Sequence, residues 1–102
     1  MGAETFHEEQ YATTSHNAWI AAKHEALEYY GSRPYTGSIK EKANYTMATD
    51  EVLDIDAAYN LANKLINTAY SDKWGPAGCI EVLPAPGLES QRRFLFFGWA
   101  SA

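Results

Sequence analysis

The segment Arg92 to Ser101 places the tightest limit on what this chain can fold into. Side chains of a strand alternate between its two faces. Phe94, Leu95, Phe96, Phe97 and Trp99 therefore make both faces apolar. Such a strand belongs at the centre of a sheet, or is covered on both sides.

Two stretches carry helical periodicity. Trp19, Ala22, Ala26, Leu27 and Tyr30 form one stripe, with Ser15 or Asn17 as N-cap and Gly31 as the stop. Ile55, Ala58, Tyr59, Ala62, Leu65, Ile66 and Ala69 form a second, with Asp54 as N-cap and Asp56 near the positive end of the helix dipole. Thr5 to Thr13 is Thr- and aromatic-rich and reads as an edge strand. Ser38 to Thr49 alternates: Ile39, Ala43, Tyr45 and Met47 face one way, Lys40, Lys42, Asn44 and Thr46 the other. That pattern predicts a half-buried strand. Cys79 to Leu83 reads as a short strand, separated from the last one by the loop Pro84 to Ser90.

The expected fold is α+β, a single domain over residues 1–102 in the order β-α-β-α-β-β. It is a two-layer sandwich: a mixed or mostly antiparallel sheet of about four strands with both helices packed on one face. Two helices cover only one face of a small sheet. The second apolar face of the last strand then calls for self-association, with Phe97 and Trp99 at the interface between copies.

Charge and cysteine content narrow the function classes. A net charge of −5 lacks the basic footprint of a nucleic-acid binder. The one cysteine, Cys79, cannot form an intramolecular disulfide, and its apolar neighbours predict a packed thiol rather than a nucleophile. No apolar run has the length of a membrane-spanning helix, and the first residues lack a signal peptide's pattern, so a cytoplasmic location is expected.

No constellation specifies a reaction. His24 and Glu28 share a helix face but lack the further ligands of a zinc site, so neither metal nor cofactor is expected. Asp54 and Asp56 are explained as helix-start residues, and Glu8 and Glu9 point to opposite faces of a strand. Neither glycine pattern has the placement of a phosphate-binding loop.

What remains is aromatic and basic. Tyr35 and Trp74 lie between turn residues, where scaffolds carry recognition, and Tyr and Trp are enriched at binding hot spots. Arg33, Lys40, Lys42 and Arg92 gather into a cationic strand face if the strands that carry them are neighbours, a surface suited to a small anionic ligand. The runs Tyr30 to Ile39 and Phe96 to Ser101 are distinctive but carry no diagnostic motif. In size and acidity the chain is similar to phage accessory and inhibitor proteins, a likeness that implies action by protein contact. The leading expectation is a non-catalytic protein-binding or regulatory module, through a protein partner or self-association. The alternative is a small-molecule or nucleotide-binding domain using the cationic face with Tyr35 and Trp74. A small enzyme of unknown reaction comes third.

Overall fold

The computed structural model describes residues 2–102. Four strands, β1 (Ala3–Ala12), β2 (Tyr45–Leu53), β3 (Ala77–Val82) and β4 (Arg92–Ser101), and two helices, α1 (Ser15–Tyr30) and α2 (Ile55–Ile66), follow the expected order. The sheet is mixed, ordered β1-β4-β3-β2, with β4 antiparallel to both neighbours and β2 parallel to β3. Thus β4 is central and β1 is an edge, as the residue patterns predict.

The helices lie on opposite faces of the sheet, which corrects the one-face expectation. Phe94 and Phe96 of β4 pack with Ala18, Trp19, Ala22 and Ala26 of α1. Leu95 and Phe97 pack with Ala58, Ala62 and Ile66 of α2. The reason is the strand order. From β1 at one edge the chain crosses to the parallel strand β2 at the far edge, then steps back to β3. Crossovers between parallel strands are right-handed, and one made in the reverse direction places its helix on the reverse face.

The interface assigned to Phe97 and Trp99 falls with the one-face arrangement. Phe97 is 0% exposed, with Tyr70 edge-on at 5.2 Å between ring centroids. Trp99 packs against the α2 cluster and donates its indole N–H to the Ile66 carbonyl at 2.9 Å. Gly78 exists to admit Phe97, because a Cβ there would lie 2.3 Å from the Phe97 ring.

The start of α1 is capped by Thr14, whose hydroxyl accepts from the Asn17 amide at 3.1 Å, while Ser15 turns to the Tyr45 hydroxyl. Leu27, expected in the buried stripe, is exposed. Asp54 caps α2 as expected, accepting from the Ala57 amide at 2.8 Å.

The segment expected as a strand over Ser38 to Thr49 divides. Ile39–Glu41 is a 3-10 turn, and β2 starts only at Tyr45. Lys42 consequently points inward. It is 2% exposed, and its ammonium donates to the carbonyls of Asp72, Lys73 and Gly75 at 3.2, 3.1 and 2.9 Å. Lys23 of α1 does the same for the carbonyls of Lys40 and Lys42. Burial pushes both ammonium groups below the ordinary lysine range. Two lysines thus tie the loop 31–44 to α1 and to the loop carrying Trp74.

Replacing Lys42 by methionine keeps the stem's packing and leaves three carbonyls without their shared donor. The expected cost is at least about 2 kcal/mol of folding stability, read by urea denaturation of Lys42→Met. A loss below about 0.5 kcal/mol means that the ammonium does not hold the loops.

Candidate functional site

The cationic strand face does not form. Lys42 is buried against backbone carbonyls, and Lys40 turns to the Arg33 carbonyl and the Glu41 carboxylate. Arg92 pairs with Glu81 through two hydrogen bonds of 2.9 and 2.8 Å. Arg33 lies over the Tyr30 ring at 5.7 Å. The alternation that grouped Lys40 with Lys42 vanished once the 3-10 turn replaced the strand.

Tyr35 and Trp74 are both exposed, Trp74 at 70% with Lys73 over its ring at 5.2 Å. Tyr35 has φ 56°, a left-handed conformation rare for a bulky residue. Their loops meet through Lys42, and the Tyr35 loop is also tied to the sheet by the Gly37 amide donating to the Ser101 carbonyl at 2.7 Å. Gly37 itself has φ 68°, and a Cβ there would strike the Glu4 carboxylate at 2.4 Å.

The cleft that stands out lies elsewhere, between β1 and the last turns of α1. Glu8, Glu25, Ala26, Tyr29 and Tyr30 line about 330 Å³. Each wall follows from local periodicity. On β1, Phe6 anchors the face toward α1, so Glu8 and Gln10, at two-residue steps, face the same way. On α1, Ala22 and Ala26 are buried, while Glu25 and Tyr29, four residues apart, share an exposed edge of the helix.

The cleft's chemistry is acidic and aromatic. Gln10 donates its side-chain amide to Glu25 at 3.1 Å. Among the described residues, no donor reaches the Glu8 carboxylate and no cation pairs with either carboxylate. Partial burial, reinforced by the charge of Glu25, pushes the Glu8 carboxyl above the ordinary range. Tyr29 is 81% exposed and meets Tyr30 edge-on, with ring centroids 4.8 Å apart.

Its sequence neighbour Glu9 has the opposite surroundings. It faces the α2 side, accepts the Tyr59 hydroxyl at 2.7 Å and is paired with Arg93. Burial opposes its ionisation, but those hydrogen bonds and the Arg93 charge outweigh burial and hold the carboxyl below the ordinary range. Burial, and after it the same contact with Glu9, push the Tyr59 hydroxyl up to about 12. His7 stacks on Tyr59 and meets the Asn63 side chain at 3.0 Å, which completes a polar clasp between β1 and α2. The two carboxylates do point to opposite faces, as the sequence predicts: one satisfied, the other bare.

Cys79 is buried, and burial with the charge of Glu81 pushes its thiol up to about 12, so little thiolate forms at neutral pH. His24 and Glu28 form an exposed contact of 2.7 Å. Among the described residues, no three metal-ligating side chains cluster, and no helix is long and apolar enough to cross a membrane. No protein-family model, no curated protein and no solved structure matches the chain.

In the sequence Tyr30 reads as part of the helical stripe, and the cleft goes unmarked. The available signal was the four-residue spacing of Glu25 and Tyr29 opposite the buried alanines.

Glu8 is held at a cost that the structure relieves nowhere. Because its folded pKa is raised, the folded state binds more protons than the unfolded chain across that window, and stability falls as pH rises through it. Glu8→Gln is therefore expected to raise the melting temperature at pH 7. The gain should vanish at a pH below the ordinary carboxylate range, where both proteins are uncharged at this position. Melts across pH check this, and a gain that persists undiminished in acid contradicts it.

Proposed function

We propose that this chain is a non-catalytic protein-binding module whose contact surface is the cleft between β1 and α1, and that the cleft receives a lysine or arginine side chain of its partner. One observation carries the reading: among the described residues Glu8 has no hydrogen-bond donor or counter-ion, and it lines the cleft together with a second carboxylate and two tyrosines. A cation entering there neutralises two like charges that repel each other, and it lies against aromatic faces that attract it. Arg33 on Tyr30 is an example of that contact within the chain itself. The alternative of an anion-binding face has lost its residues, since Lys42 and Arg92 are spent on the chain's own carbonyls and carboxylate.

A second contact surface is proposed at Trp74 and Tyr35, supported by the exposure of both rings on loops pinned by Lys42. A pinned loop loses little freedom on binding, which favours affinity.

Titration of a lysine-rich peptide, followed by the NMR signals of the Tyr29 and Tyr30 rings, tests the cleft against a glutamate-rich control. The lysine peptide is expected to shift those signals and the control to leave them alone. Glu8→Gln should weaken binding about tenfold, a loss of about 1.4 kcal/mol, while the fold is kept. Trp74→Ala should leave the melting temperature unchanged. If Trp74→Ala abolishes binding while Glu8→Gln and Tyr29→Ala bind as before, the contact surface is the Trp74 loop and the cleft reading is wrong.

A further inference from the structure

The cleft opens beside a free sheet edge, and that edge carries an inference about the partner's conformation, one that rests on the cleft reading above. β1 pairs along its ten residues with β4 on one side only. Among the described residues, no backbone or side-chain hydrogen bond reaches the outward backbone groups of residues 3–12. A row of bare N–H and C=O groups of this length is a template for another strand.

The edge is also chemically selective. β1 carries Glu4, Glu8 and Glu9 and neither lysine nor arginine. Like charges directly opposite each other destabilise a strand pair, and opposite charges stabilise it. An antiparallel pairing of two β1 strands centred on Phe6 would set Glu4 against Glu8, and one centred on Glu8 would set that residue against its own copy, so these registers with a second copy of the chain are disfavoured. The side chains of an added strand alternate between the two faces of the sheet, so every second residue falls on the α1 side. On that side Glu4 and Glu8 of β1 flank Phe6, and Glu25 with Tyr29 and Tyr30 complete the wall around Glu8.

We infer that the partner presents an extended basic segment, which adds as a fifth strand to the outer edge of β1 and directs a lysine or arginine into the cleft of Glu8, Glu25, Tyr29 and Tyr30. Main-chain hydrogen bonds to β1 supply affinity that is indifferent to sequence, and the cleft supplies the preference for a cation.

The probe is a short peptide of alternating lysine and threonine, made unmodified and in two versions, N-methylated at the odd or at the even residues. An added strand turns only one of its edges to β1. One N-methylated version should therefore lose at least about tenfold in affinity and the other bind like the parent. Amides at alternate positions of β1 should become protected from hydrogen exchange as the parent peptide binds. If the parent shifts the Tyr29 and Tyr30 signals, both methylated versions bind equally well and β1 gains no protection, the cleft binds its cation without strand addition and the inference is overturned, while the cleft reading stands. Failure of the parent peptide to perturb Tyr29 and Tyr30 overturns both. Dimerisation of the peptide-free protein through β1, seen as concentration-dependent protection of the same amides, would make a second copy the occupant and overturn the basic partner.

Discussion

Everything in this fold answers to the double-sided burial of β4. A strand with Phe94 and Phe96 on one face and Leu95 and Phe97 on the other forgoes about half of its burial under a one-sided cover, because the second apolar face would remain in water. The chain supplies two covers by reversing its direction across the sheet, so that crossovers of one hand deliver α1 above and α2 below. The same reversal leaves β1 and β2 as edges, one on either side of the pair β4 and β3. The strand that organises the core thus also decides which strands stay bare.

The cover is thin where the helices end, and charged groups finish the work there. Lys42 and Lys23 gather backbone carbonyls from loops that have too few apolar side chains to pack themselves. On the α2 side, Glu9, Tyr59 and Arg93 close the gap between β1 and the helix with fully partnered polar groups. On the α1 side the described residues place only the Gln10 to Glu25 hydrogen bond across the gap, with no ion pair beside it. Glu8 and Glu25 face each other where their counterparts on the other face are paired, and this asymmetry between two otherwise matched layers is what marks the cleft.

Much of this is legible in the amino-acid sequence. α2 and the central place of β4 follow from residue periods of 3.6 and 2, which report burial directly, and the edge character of β1 from its Thr- and aromatic-rich composition. β2 was misplaced because its own alternation is broken. Met47 pairs with Cys79 and Val52 with Glu81, so a bulge separates the two halves, and the buried Ile39 upstream imitated a strand from within a 3-10 turn. The burial of Lys42 was invisible because its acceptors are backbone carbonyls about thirty residues away, which leave no mark on the identity of any residue. Placing the helices required the strand order, a long-range property that local periods do not encode. The cleft is of the same kind: each wall is written into one segment, and only the packing of α1 against β1 makes them a pair.

The pairing of β1 with β4 joins segments at opposite ends of the described chain, Ala3 opposite Ser101 and Ala12 opposite Arg92. Closing so long a loop is entropically expensive and slow, so a chain folding from the unfolded state brings these strands together late. Until then β1 has two open edges rather than one, and any apolar strand nearby competes for it. Glu4, Glu8 and Glu9 then act as a kinetic guard, repelling other copies of the segment while it waits for β4. The charges that leave one edge selective in the finished molecule are the ones that keep both edges out of aggregates while the molecule is being made.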